Sequence, residues 1–283
     1  MLARIARVGG LVLCATALLC ALTAGTAAAN QPRARASVIG GTAADLQQWG
    51  FAVAVLTPTT LCTGSVLSPT RVLTTAHCAG NPATMTVRAN STSAFVGGEA
   101  LGVSSVTIAP GWAHGFESDL SVLTLSAPTS APAIQLASPA EDASFTQSGA
   151  PLSVAGFGSR NPVLFGKAKL GLLTTTSVFA RRCPLPSWAI CDAGGRSGLV
   201  AFRRIHDRVR HRPVQKSICQ GDSGGPLVAS TPQGPRLVGV AEASSSPNKR
   251  DPFFFVRCGL KGYPALHTRV LSYADFIQAN EGP

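Results

Sequence analysis

The fold class predicted by this sequence is all-β, and three observations carry the prediction. Charged residues make up 13% of the 283 positions, while glycine occurs 29 times and proline 20 times, a balance of turns over long helices. Short runs rich in Val, Thr and Leu recur, each bounded by Gly, Pro, Ser or Asn, as strands are. Only one stretch has helical spacing. The length suffices for one large β domain or two smaller ones, each with a core of its own.

The elements follow in chain order. Arg4 and Arg7 precede an apolar run from Val8 to Leu22, and the small residues of "TAGTAAAN" offer a cleavage point after Ala28 or Ala29. Residues 1–29 are therefore expected to be an export signal, placing the mature protein outside the cell. Glycines interrupt the run and small residues follow it, which argues against a membrane anchor. Cys14 and Cys20 each follow a leucine, where a lipid-attachment signal has a small residue, so no lipid is expected. The predicted strands are Phe51–Thr57, Thr63–Ser68, Arg71–Ala76, Leu120–Ser126, Pro151–Gly158, Arg236–Ala243 and Ala265–Val270. The stretch Leu136–Gly149 is polar and turn-like, and makes the best link between two β halves, 38–140 and 141–283. The last segment, "SYADFIQAN", puts Tyr273, Phe276 and Ile277 on one side of a helix with Ser272 as its N-cap.

Without the leader six cysteines remain, Cys62, Cys78, Cys183, Cys191, Cys219 and Cys258, an even number that in an exported protein points to three disulfides. None of them has the close spacing of a zinc knuckle, so neither a metal nor another cofactor is expected. Net charge is +11 over the chain and about +7 from Val38 on, where 20 basic residues face 13 acidic ones. Much of the excess sits in Arg196–Lys216, a local patch without a nucleic-acid reading motif, read here as a solvated loop.

The chemistry concentrates in "SICQGDSGGPLV", Ser217–Val228. A serine hydroxyl is a weak nucleophile near neutrality and needs a base, a group orienting that base, and donors for the oxyanion that forms on attack. Ser223 fits the nucleophile, and the surrounding glycines allow the N–H groups of Gly221 and Ser223 to face one developing charge. His77 ends the apolar run in "LTTAHCAG" and fits the base. Asp119 opens the apolar run in "SDLSVLTLS" and fits the orienting acid, since a buried carboxylate must find a donor. Each residue alone has a plainer reading, as a strand cap or a turn residue. The order His, Asp, Ser, each within its particular string, is what carries the reading.

These strings resemble the chymotrypsin/trypsin family of serine proteases: "VIGG" at Val38–Gly41, "TTAHC" at Thr74–Cys78, "SDLSVL" at Ser118–Leu123, "AGFG" at Ala155–Gly158 and "CQGDSGGPL" at Cys219–Leu227. The resemblance runs from Val38 to the C-terminus. It implies two antiparallel six-stranded β-barrels with a C-terminal helix and an active site in the cleft between them, with His77 as general base, Asp119 as its partner and Ser223 as nucleophile. It further implies a short propeptide, 30–37, whose removal frees the Val38 amino group to pair with Asp222 and shape the oxyanion loop. Ser37 before Val38 departs from the cut site of a trypsin-like activator, so another protease, or later trimming, is required.

The same resemblance pairs Cys62 with Cys78, Cys183 with Cys191, and Cys219 with Cys258, each bridge contributing a few kcal/mol. It places Ser217 at the floor of the specificity pocket with Ile218 beside it and Ala265 on the wall. An uncharged floor does not attract Lys or Arg, and a shallow pocket for small or medium apolar residues is expected. Two departures bear on substrate. Glu242 and Ala243 stand where the family usually shows Ser and Trp. Insertions fall between Cys191 and Cys219, and at Pro247–Val256 before Cys258. The first carries Arg203, Arg204, Arg208, Arg210 and Arg212, and is either a tolerated loop or an exosite for acidic substrates, with Phe253–Phe255 adding apolar surface.

The expectation is thus a secreted, monomeric serine endopeptidase acting through an acyl-enzyme on protein or peptide substrates, with no nucleic acid and no stable membrane attachment. A protease-shaped binding protein that has lost turnover is the alternative, and the complete set of His77, Asp119 and Ser223 weighs against it. An α/β-fold esterase would need the chain order Ser, acid, His, which this sequence does not have.

Overall fold

The computed structural model describes residues 38–159, 171–181, 187–193, 196–205, 208–244, 258–259 and 264–282. The expected leader and propeptide, Cys183 and the insertion 247–256 lie outside the described residues.

A short β1 (Thr42–Ala43) and one helical turn, α1 (Leu46–Trp49), lead into β2 (Ala52–Leu56), β3 (Leu61–Ser68), β4 (Arg71–Thr74), β5 (Thr86–Ala89), β6 (Glu99–Ile108) and β7 (Ser121–Leu125). These six strands close an antiparallel barrel in the order β2-β3-β4-β7-β6-β5. β2, β4 and β7 read as near-continuous apolar runs because both faces are buried, whereas β6 is mostly exposed or half-buried. Along β2, Val53 and Val55 enter the barrel interior with Val66, Val72, Val87 and Leu123. Ala52 and Ala54, on the opposite face, join Phe51, Leu73, Leu120 and Val122 in a second cluster.

After β8 (Gln135–Leu136) comes a helix, α2 (Pro139–Phe145), followed by β9 (Pro151–Gly156), β10 (Thr174–Arg181), β11 (Ala189–Ala193), β12 (Arg196–Ile205), β13 (Arg208–Gln215), β14 (Pro226–Thr231), β15 (Gly234–Ser244) and β16 (Ala265–Arg269). The ring β9-β10-β11-β16-β15-β14 closes on itself through the β10–β9 pairing and makes a second six-stranded antiparallel barrel. Its interior holds Val154, Val178, Ile190, Ile218, Leu227, Val238 and Ala265. The seam cluster draws on both barrels and on the C-terminal α3 (Ala274–Asn280), with Phe157, Val228, Leu237, Val240 and Ile277 meeting the outer face of β2.

All seven predicted strands are present within a few residues of their expected ends. The terminal helix also forms, but Ser272 does not cap it. A 3-10 turn, Val270–Tyr273, intervenes, and the Ser272 hydroxyl donates to the Ser187 carbonyl at 3.4 Å. Two stretches differ from expectation. The segment 136–149 contains α2, started by a capping box in which the Ser138 N–H donates to Glu141 Oε2 at 2.9 Å and Ser138 Oγ accepts from the Glu141 N–H at 3.4 Å. Pro139 occupies the first turn, where its missing N–H does no harm. The basic segment is a β-ribbon, β12 paired with β13 as a separate two-stranded sheet, with Arg203 opposite Arg210 and Val200 opposite Arg212.

Candidate active site

His77 lies in a 3-10 turn, Ala76–Cys78, that follows β4. Three contacts set that turn. The disulfide Cys62–Cys78 ties it to β3. The Ser121 hydroxyl donates to the Thr75 carbonyl at 3.0 Å. The carboxylate of Asp119 takes both the main-chain N–H of His77, Oδ1 at 2.8 Å, and its ring, Oδ2 at 2.5 Å from Nδ1. Asp119 is 2% exposed, whereas the His77 side chain is 40% exposed, so the acid is sealed behind the imidazole. An ionised carboxylate only accepts, which puts the ring proton on Nδ1 and leaves Nε2 free to take one.

The approach to Asp119 is held from the C-terminal end of the chain. Ser118 has a left-handed φ of +58°, and its main-chain N–H donates to the Tyr273 hydroxyl at 2.9 Å. The helical pattern singled out Tyr273 as an apolar contact, but its hydroxyl does the positioning here.

Ser223 lies in the loop between Ile218 and β14, and Gly221 and Gly224 there have φ of +90° and +82°. A side chain on Gly224 would strike Thr63 and Thr74 of the first barrel, so glycine is required for conformation and approach alike. Thr63 grips this loop at two points, its N–H donating to the Ser223 carbonyl at 2.8 Å and its hydroxyl to the Gly221 carbonyl at 2.9 Å. Among the described residues the N–H groups of Gly221 and Ser223 meet no acceptor. The Ser223 hydroxyl donates to the carbonyl of Glu242 at 3.2 Å, and no hydrogen bond joins it to His77.

His77, Asp119, Ser223 and Glu242 line one cavity of about 600 Å³. Trp112, His114 and Phe116 also line it. The Trp112 and His114 rings stand 4.4 Å apart, and the indole N–H of Trp112 donates to the Gly115 carbonyl at 3.3 Å.

Asp222, next to Ser223, is fully buried. Its carboxylate accepts from the N–H of Cys219 at 2.7 Å and of Gly158 at 2.8 Å. Burial nevertheless pushes its pKa up to about 7, the two hydrogen bonds opposing the shift without cancelling it. Val38 is buried as well, and its main-chain N–H donates to Thr174 Oγ1 at 2.6 Å rather than to Asp222. Glu242 is 3% exposed, and burial, helped by the charge of Asp119, pushes its carboxyl up to about 9 against the hydrogen bond from Thr268.

The three residues expected to form a specificity pocket do not border this cavity. Ser217, Ile218 and Ala265 are buried, Ile218 and Ala265 inside the second barrel. Ser217 is bridged to Ile39, whose N–H donates to the Ser217 carbonyl at 3.0 Å. Behind them, fully buried His267 and Asp192 share a hydrogen bond of 2.6 Å between Nε2 and Oδ2. Cys219 is joined to Cys258. Cys191 is also disulfide-bonded, and its expected partner Cys183 lies outside the described residues.

Two closed six-stranded antiparallel barrels with few helices and a short helix at the C-terminus make the chymotrypsin-like fold. The family model described as Trypsin matches residues 38–277. A trypsin of Saccharopolyspora erythraea is 31% identical over 87% of this chain and 99% of its own, and Trypsin 5G1 of Aedes aegypti is 28% identical over 96% and 98%. Serine protease 56 of Mus musculus is 29% identical over 88% of this chain and 39% of that longer protein. The chain belongs to the trypsin family of serine proteases, and the protein is a serine endopeptidase. Its disulfides suit an oxidising, extracellular setting, and no helix among the described residues is long and apolar enough to cross a membrane.

Proposed function

We propose that the protein is a secreted endopeptidase in which Ser223 attacks the scissile carbonyl, His77 acts as base and then acid, and Asp119 orients His77. The observation that carries this reading is the double hydrogen bond of Asp119 to His77 in the cavity that also holds Ser223. Attack forms the bond from Ser223 Oγ to the carbonyl carbon while Nε2 of His77 takes the hydroxyl proton. The negative oxygen is held by the N–H groups of Gly221 and Ser223. Collapse breaks the C–N bond, the leaving amine takes the proton from His77, and water then hydrolyses the ester by the same route.

Before that, the chain is cut ahead of Val38, and the new amino group supplies the cation that buried Asp222 lacks. By the family resemblance an uncharged Ser217 favours small or medium apolar residues before the scissile bond over Lys or Arg, although neither Ser217 nor Ile218 borders the cavity that holds Ser223. The arginine-bearing ribbon β12–β13 is an exosite for acidic protein substrates, supported by its separation from both barrels in strand pairing.

One observation favours the alternative of a catalytically silent binding protein: the Ser223 hydroxyl is engaged by Glu242 and not by His77. A fluorophosphonate probe separates the two readings. Covalent labelling at Ser223, lost in Ser223→Ala, supports the enzyme, and an unlabelled but folded, processed protein rejects it. Peptide-library profiling tests the pocket, and a dominant preference for Lys or Arg would count against it. N-terminal sequencing of the labelled form should begin at Val38. Replacing the five ribbon arginines should slow cleavage of acidic proteins more than neutral ones, and equal loss rejects the exosite.

A further inference from the structure

We propose that Glu242 is a positioning residue of this site, a buried carboxylic acid held in its neutral form that steadies Asp119 with its side chain and Ser223 with its main-chain carbonyl. The role for Ser223 rests on the reading of that residue as nucleophile.

The placement comes from an irregularity in the second barrel. The register of β15 against β16 shifts between Ala241 and Ala243, so Glu242 falls outside the regular alternation of the strand. Its carbonyl accepts from the Ser223 hydroxyl at 3.2 Å, and its carboxyl sits beside Thr268, whose hydroxyl donates to Oε2 at 3.1 Å. The other oxygen, Oε1, is buried with no hydrogen-bond partner.

One neutral hydroxyl is poor solvation for a buried carboxylate, and a second negative charge nearby makes ionisation harder still. Among the described residues no cation pairs with Glu242. Asp119 and His77 line the same cavity as Glu242. The neighbouring His267 of β16 engages Asp192 through Nε2 while its buried Nδ1 meets no partner among the described residues, Asp222 accepts from the Cys219 and Gly158 N–H groups, and Cys219 is in a disulfide. His114 lines the same cavity. Burial and the charge of Asp119 accordingly place the carboxyl well above the usual range, at about 9. With Oε2 already accepting from Thr268, the proton belongs on Oε1. It is then a donor, and the acceptor we assign to it is the Asp119 carboxylate, which lines the same cavity.

The arrangement makes the site sensitive to alkali through a group other than the triad itself. An ionised Glu242 faces a second carboxylate and needs water, which the cavity it lines offers. Movement of the side chain toward that water shifts residue 242 and takes the acceptor away from Ser223.

The test combines a spectrum with a rate. In the infrared difference between native protein and Glu242→Gln, recorded near neutrality, the native protein should show the C=O stretch of a protonated acid. That band should convert to a carboxylate band as the pH passes about 9. A carboxylate band already present near neutrality overturns the proposal. Fluorophosphonate labelling of Glu242→Gln should be about threefold slower than native near neutrality, because an amide replaces a stronger donor, and Glu242→Ala about tenfold slower. Labelling of native protein should fall reversibly as Glu242 ionises, and Glu242→Gln should lose that portion of the decline. An identical decline in Glu242→Gln overturns the positioning role. Native protein that never labels would sink the nucleophile reading and the positioning of Ser223 with it, while the infrared band still decides the neutral acid by itself.

Discussion

The main-chain N–H of Thr63 donates to the carbonyl of Ser223 at 2.8 Å, so a strand of the first barrel holds the reactive loop of the second. The Thr63 hydroxyl donates to the Gly221 carbonyl at 2.9 Å and accepts from the Phe157 N–H at 3.1 Å, while Thr74 Oγ1 donates to the Thr63 carbonyl at 2.8 Å. Gly224 and Gly225 keep the loop close enough for this. The barrels are thereby joined by directional bonds beside the cavity that His77 and Ser223 both line.

Thr63→Val keeps the shape of a fully buried side chain but orphans the Phe157 N–H and the Gly221 carbonyl. We expect about 1–3 kcal/mol of lost stability in urea denaturation. Labelling at Ser223 should slow even where the variant is fully folded. Full-rate labelling of a destabilised variant would show that Thr63 holds the barrels together without setting the loop.

Asp119→Asn should leave the fold intact and lower peptide hydrolysis by about 10⁴-fold, because an amide that donates to Nδ1 stabilises the wrong tautomer of His77. The check is turnover of a peptide substrate alongside a thermal melt. A loss below tenfold would mean that His77 is oriented by its turn alone.

Asp222 links pH to stability. Its folded pKa of about 7 exceeds the ordinary aspartate value near 4, so between these pH values the folded uncut chain binds more protons than the unfolded one. This group therefore lowers stability as pH rises through that window, by on the order of 4 kcal/mol once fully ionised. In Ser223→Ala protein, where no self-cleavage occurs, adding Asp222→Asn should raise the melting temperature above about pH 7 and leave it nearly unchanged near pH 4. On the proposed pairing of the Val38 amino group with Asp222, the same substitution in processed protein should abolish labelling. A melting temperature lowered by Asp222→Asn in the uncut chain would contradict this account.

Arg269, from β16, reaches Asp142 of α2, with Nε donating to Oδ2 at 2.8 Å and Nη2 bonding the same oxygen. Asp142 is fully buried and Arg269 partly exposed. Asp142→Ala should cost about 2–4 kcal/mol, less than for a fully sealed pair because water can reach the freed guanidinium. Denaturation of Asp142→Ala and of Asp142→Ala/Arg269→Leu checks this, and the double variant should recover part of the loss.

Where neighbours in the chain suffice, the outcome was legible beforehand. β2, β3, β4, β7, β9, β15 and β16 are written in β-branched and aliphatic runs ended by turn residues, and those runs are buried on both faces whatever they pack against. The string around Ser223 owes its conformation to its own glycines, whereas those of His77 and Asp119 were legible as strings but are held by distant contacts. α2 was legible in principle from "SPAE", but the polar composition of the stretch concealed it. The basic segment read as a loop because arginines interrupt its apolar spacing, whereas cross-strand pairing defines β12 and β13. Tertiary structure alone decided that Thr63 grips the Ser223 loop, that the Tyr273 hydroxyl reaches Ser118, that Ser217 is buried beside Ile39, and that Glu242 and Asp119 line one cavity. The physical reason is range. Strand propensity and turn geometry act over a few residues, while a hydrogen bond or a shared charge environment depends on which distant residues barrel closure brings within a few ångströms.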